Sequence, residues 1–402
     1  MNLQSPDLCR VRAITAFATL TPDAQSWQRV LADAKRQCDR LADAFAQAGY
    51  TVQSVRIVAN PFGEYLDTAS PESAKQGLAR IRDILGSLNQ NGLRIRFAIG
   101  EARSAEEIAL LPELIRDYGD LANACVNVAA DENGLPDSAQ IEHCAAAVQE
   151  IARITPRGEG NFNCAPLIPY FPAGYHRGAD GDCIVVGLET PDLLAATIRS
   201  IAAPPADQSA FLQAAYTAMR QALQYHADAI QALIATTPLD GSWRYIGMDT
   251  SAAPSKNCTS MAEIYRLLRV PHFGAAGSIE ASALLTRVFK TLENVRAVGF
   301  SGLMLAVTED SGLAQASQIP TFDLRALLTY SSVCGIGLDT VPIPGDTPAH
   351  KIHALMRDTA ALAFRLNKPL TVRLFPVPNL KAGDITQFES SDLCNCAVLA
   401  VD

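Results

Sequence analysis

Short apolar runs alternate along this chain with longer segments whose apolar positions recur every three or four residues. The runs read as buried strands and the spaced segments as amphipathic helices. Strands are predicted at 11–19, 52–59, 93–99, 122–128, 183–188, 243–248, 297–307, 333–343, 370–375 and 396–401. Helices are predicted between them at about 21–49, 70–92, 104–118, 138–154, 260–268, 278–292, 323–328 and 348–366. Thr21-Pro22 and Ser70-Pro71-Glu72 supply a cap followed by proline at the first helical position, and Gly49 closes the first helix. The segment 156–178 is rich in Gly, Pro, Asn and aromatics and reads as an irregular loop, and 191–237 is a long helical region broken at Pro204-Pro205. Ten strands alternating with helices predict an α/β barrel with its helices outside. No linker, repeat or low-complexity tract divides the chain, so a single domain spanning 1–402 is expected.

Four of the C-terminal apolar runs end in a charged side chain. Tyr245-Ile246-Gly247-Met248 meets Asp249, Leu303 to Thr308 meets Glu309-Asp310, Gly335 to Leu338 meets Asp339, and Leu370 to Val372 meets Arg373. In an α/β barrel the C-terminal ends of neighbouring strands converge on one mouth, so these groups can act on one ligand. Asp249, Glu309 and Asp339 are the candidate acid/base residues, and together a candidate set of metal ligands. Oxygen ligands favour Mg, Ca or Mn over Zn. The competing reading of Asp249, in Asp249-Thr250-Ser251, is an Asx-turn or cap. Side chains alternate along a strand, so one of Glu309 and Asp310 faces the mouth, and Glu309 is favoured. Arg373 is a charge inside an apolar strand and needs a carboxylate or an anionic ligand. It is the candidate substrate clamp, the alternative being an internal ion pair. Arg56, in Val55-Arg56-Ile57, poses the same question.

Two histidines join the candidates: His176 in the irregular loop, as general base, and His272 in Pro271-His272-Phe273-Gly274, as a substrate contact. Asp346 precedes Thr347-Pro348, which reads as a helix start, and is a candidate substrate contact against a capping role. The glycine-rich stretch Gly335 to Pro348 lacks the spacing and lysine of a nucleotide-binding loop, so no nucleotide cofactor is expected.

Composition narrows the class. At 402 residues and 43.0 kDa, with 49% hydrophobic residues and a mean hydropathy of +0.09, the chain can bury a large core. No apolar stretch is long enough to span a bilayer, and the start Met1-Asn2-Leu3-Gln4 does not read as a signal peptide, so a cytoplasmic location is expected. A net charge of -9 with no basic run argues against nucleic acid and anionic membranes as partners. The ten cysteines are scattered and read as reduced packing residues; Cys394-Asn395-Cys396 has no second pair to complete a zinc site.

Several of these motifs together resemble the bacterial and archaeal domain of unknown function 711 family. They are Gly247-Met248-Asp249-Thr250-Ser251, Gly299-Phe300-Ser301-Gly302-Leu303-Met304-Leu305, Glu309-Asp310, Cys334 to Pro342, and Lys381-Ala382-Gly383-Asp384, together with Val52 to Arg56 and Phe171 to His176. Val307-Thr308 and Pro378-Asn379-Leu380 depart from the family's prolines and turn. The resemblance implies a fold similar to the pyruvate formate-lyase-like ten-stranded α/β barrel. It does not carry glycyl-radical chemistry, because the C-terminal segment lacks the required glycine context, and Cys334 then reads as packing. The expectation is a non-radical enzyme, a lyase or hydrolase, acting on a small anionic carboxylate or phosphate metabolite, with a homo-oligomer allowed. The alternative is a metabolite-sensing or regulatory binding protein using the same pocket.

Overall fold

In the first part of the chain each apolar run is followed by a capped amphipathic segment, and strand and helix alternate accordingly. The computed structural model describes residues 2–168 and 181–402. Strands β1 (Arg10–Ala18), β2 (Val55–Ala59), β3 (Ile95–Glu101), β4 (Asn123–Asn127) and β5 (Cys164–Ile168) are linked through α1 (Trp27–Gln47), α2 (Pro71–Leu88), α3 (Ala105–Tyr118) and α4 (Ser138–Ile154). Ser70, Ser104 and Asp137 cap the last three helices by accepting from the backbone N–H of Ser73, Glu107 and Gln140. The first helix begins later than its predicted Thr21 cap, at Trp27; Thr21 instead offers its carbonyl to the indole N–H of Trp27 at 2.7 Å.

Beyond residue 181 come β6 (Cys183–Glu189), α5 (Pro191–Arg199), α6 (Gln208–Thr236), β7 (Arg244–Asp249), α7 (Met261–Leu267), α8 (Ser278–Lys290), α9 (Ser311–Ala316), α10 (Leu324–Ser331), β8 (Gly337–Pro344), α11 (Ala349–Leu366) and β9 (Leu370–Val377). The nine strands form one mixed sheet in the order β7-β6-β1-β2-β3-β4-β5-β9-β8. Strands β1 to β5 are parallel to one another, and β6 with β7 and β8 with β9 are parallel pairs. Both joins between the groups, β1 to β6 and β5 to β9, are antiparallel, so β6 to β9 all run against β1 to β5.

Two expected strands are absent as such, and one was missed. The segment 297–306 has no ladder with β7 or β8 beyond isolated bridges, Met248 to Ala297 and Ala306 to Asp339, and the 396–401 segment has only the isolated bridge of Ala397 to Ile385. The cause in the first case lies in the backbone. Ser301 has a φ of 39°, and Gly302 lies so close to Gly335 that a Cβ on either would sit 2.9 or 2.8 Å from the other's Cα. The small residues here therefore admit another stretch of the same chain. Strand β5 falls inside the segment read as an irregular loop.

The two faces of the sheet differ. Ile14 and Ala16 of β1, Val55 and Ile57 of β2, and Ile184 and Val186 of β6 belong to the large core shared with the helices. Phe17, Val58, Cys183 and Val185 alternate with them and form a separate small cluster with Val298. Alternation places that cluster on the face turned away from the helices. Arg56 and Glu189 have the parity of this second set, and Arg373 alternates with the core residues Val372 and Leu374. The charged side chains thus collect on this second face. All ten cysteines are unpaired, with Cys258 and Cys394 half-buried and the others buried. No helix among the described residues is long and apolar enough to cross a membrane.

Candidate anion-binding site

On this second face lies an ion-pair cluster built on Arg373. Its Nε donates to Asp339 Oδ1 at 2.7 Å, its Nη2 to Glu309 Oε1 at 2.6 Å and its Nη1 to the Phe162 carbonyl at 3.3 Å. The guanidinium also lies 5.0 Å from the centre of the Phe162 ring. Asp339 reaches it because β8 shifts register against β9 between Leu338 and Val341, and Thr340 adopts a φ of 47°. The Thr340 hydroxyl then accepts from Thr308 N–H at 3.2 Å, which fixes the start of the turn carrying Glu309. Glu309 and Asp310 diverge as alternation demands. Asp310 caps α9, accepting from Gly312 and Leu313 N–H, and also holds Met261 N–H at 2.7 Å and the Ser260 hydroxyl.

Four more arginines lie around this cluster. Arg12 lies 3.9 Å from Glu309 and donates at 3.4 Å to both Gln53 and Glu189. Glu189 is shared with Arg10, which also pairs with Asp192 at 2.9 Å. Arg96 is exposed and paired with Asp392 at 3.0 Å. Arg56, in register between Thr15 of β1 and Arg96 of β3, is half-buried and has no hydrogen bond or ion pair among the described residues. Burial, with Arg12 and Arg96 adding repulsion, pushes its guanidinium down to about 10, opposed by Glu309. Burial likewise raises the Glu309 carboxyl above the ordinary range, with Asp339 adding to the rise and Arg373 and Arg12 opposing it. Arg373 is raised because Asp339 and Glu309 outweigh its own burial. Asp339 Oδ2 and the Thr308 hydroxyl are buried without a hydrogen-bond partner among the described residues.

Asp249 belongs to a different set. Its Oδ1 accepts from Ser251 N–H at 3.0 Å, the Ser251 hydroxyl at 2.6 Å and Ser301 N–H at 3.1 Å. Ser251 passes the link on by accepting from Gly302 N–H at 3.1 Å. Burial raises this carboxyl, against the pull of those donors. These bonds tie the end of β7 to the 301–302 turn.

Residues 3–390 match the family model described as Uncharacterised ACR (DUF711). The chain belongs to the DUF711 family. It is similar to a UPF0210 protein of Pyrobaculum arsenaticum, 28% identical over 357 residues that make up 84% of this chain and 76% of the relative. A UPF0210 protein of Lacticaseibacillus paracasei is 28% identical over 287 residues, 69% of this chain and 62% of the relative. One of Neisseria meningitidis is 24% identical over 363 residues, 85% and 78% respectively.

For this DUF711 chain the structure brings Glu309, Asp339 and Arg373 together and leaves the other candidates apart. No hydrogen bond or ion pair among the described residues joins Asp249 to them, and no three His, Cys, Asp or Glu side chains there are grouped to hold a metal ion. The three carboxylates expected as a ligand set therefore do not form one among the described residues. His272 is exposed, its Nδ1 3.3 Å from the Phe273 carbonyl ahead of α8. Asp346 is exposed in the turn before α11, where Thr347 donates its hydroxyl to the Pro344 carbonyl rather than capping the helix. His176 lies outside the described residues. Nor do Asp339 and Arg373 end their strands, since β8 continues to Pro344 and β9 to Val377. A charge on the second face of the sheet interrupts an apolar run without ending the strand. Arg12 and Glu189 were missed, although both carry the same signal, a charge within or at the end of an apolar run.

Proposed function

We propose that this protein is a non-radical enzyme that binds a small anionic metabolite against Arg56 and moves a proton through Glu309. The carrying observation is Arg56, a half-buried guanidinium without a partner among the described residues, beside a cluster whose other arginines all have carboxylates. An unmatched buried cation is costly, and an anionic ligand is the natural group to relieve it. Arg373 and Asp339 hold Glu309 in place, and burial raises its carboxyl, the direction that suits a group that gives and takes a proton. In this reading 297–306 completes a ten-stranded ring between β7 and β8, with the charged face lining its interior.

The test is thermal unfolding of the full chain in a series of small anions that includes acetate, lactate and phosphate. At least one anion is expected to raise the melting temperature of the wild type, and none that of Arg56→Gln. Glu309→Gln is expected to keep the protection. Failure of every anion to protect the wild type overturns the reading.

A further inference from the structure

We infer that the anion is a singly charged carboxylate with a hydrogen-bond donor, a hydroxyl group, on a neighbouring carbon. This rests on the anion site proposed above and names its ligand class.

The first argument is the pairing of charges. Arg10, Arg12, Arg96 and Arg373 already engage Glu189, Asp192, Asp392, Glu309 and Asp339, and Arg56 alone is unmatched. Five arginines thus face five carboxylates. A phosphate dianion would bring two further negative charges against Glu309 and Asp339, where like charges repel. A carboxylate brings one, and its two oxygens fit the single free guanidinium fork.

Asp339 is buried, with only 2% of its side chain exposed, and Arg373 occupies Oδ1 while Oδ2 has no partner among the described residues. An ionised carboxylate only accepts hydrogen bonds, so whatever completes Oδ2 must donate. A ligand carboxylate cannot do this, and the donor therefore sits elsewhere on the same small molecule. Glu309 links the two subsites: Arg373, which holds Asp339, bonds its Oε1, and Arg12, on the strand paired with that of Arg56, lies 3.9 Å from its Oε2.

The experiment compares lactate, propionate and phosphate by calorimetry and thermal unfolding on the full chain. Lactate, which has the donor, is expected to bind at least about tenfold tighter than propionate, which lacks it, because one bond to a buried charged acceptor separates them. Phosphate is expected to bind more weakly than lactate. In Asp339→Asn the preference for lactate over propionate is expected to collapse while propionate binding persists; if that variant does not fold, the wild-type comparison decides alone. Arg56→Met is expected to melt higher than the wild type without ligand, because it removes an unmatched charge, and to lose all three ligands. Phosphate binding tighter than lactate, or lactate equal to propionate, overturns this inference and leaves the anion site standing. Absence of binding by any anion overturns both.

Discussion

Asp249 and Asp339 are both buried carboxylates in strands of the same sheet, yet they are held by opposite means. Asp249 gathers two backbone N–H groups and one hydroxyl onto a single oxygen, all neutral donors from nearby turns. Asp339 has one guanidinium on one oxygen and nothing on the other among the described residues. Neutral backbone donors fix a carboxylate as part of the framework, since the chain that supplies them cannot leave without unfolding locally. A side-chain cation can be re-matched by a ligand. The comparison separates an architectural acid from one available for exchange, a distinction that burial alone does not make.

The largest effect that tests this contrast comes from Arg373→Met, which leaves Glu309 and Asp339 without their shared cation. A loss of about 3–5 kcal/mol in urea unfolding is expected. A loss below about 1 kcal/mol would show that solvent already screens the cluster. Asp249→Ala comes next: about 1–3 kcal/mol is expected from the orphaned donors, with anion protection unchanged. Loss of that protection would place Asp249 in the ligand site and break the comparison. The smallest effect is in pH dependence. Glu309 has its folded value raised above its ordinary 4.5. The protonated form is thus favoured by the fold, and its contribution is full below 4.5 and lost as pH rises through the raised value. The wild type is expected to lose stability above pH 4.5 and Glu309→Gln to flatten that decline, read as denaturation midpoints across pH; an unchanged slope would show that Arg373 cancels the effect of burial.

Much of the α/β alternation could be read from the chain because apolar runs and helix caps are local signals. Ser70, Ser104 and Asp137 each cap a helix that the pattern predicts. The errors arose where a residue's role depends on a distant partner. The 297–307 run is apolar enough for a strand, but the close approach of Gly302 to Gly335 and the turned backbone of Ser301 leave it only single bridges. At the site, the need of Arg373 for a carboxylate was legible, because a charge in an apolar strand demands one. Which carboxylates would answer it was not. Asp339 depends on a register shift in β8 and Glu309 on a turn held by Thr340, neither of which leaves a local mark. Asp249 resembled them in sequence and differed only in what its neighbours donate.

The reversal of direction between β1–β5 and β6–β9 also constrains the order of assembly. As the chain is made, the first five strands can pair with one another as soon as they appear, each joined to the next by one crossover. Their outer strands wait much longer. The flank of β1 stays bare until β6 arrives near residue 183, and that of β5 until β9 arrives near residue 370. The nascent half-sheet therefore carries two open edges until β6 arrives and the open edge of β5 for much of the synthesis that follows, each able to pair with another copy of itself. The late antiparallel joins that unite the halves are also the contacts that cover those edges, so a block in completing the C-terminal strands would be felt first as aggregation and only then as lost binding.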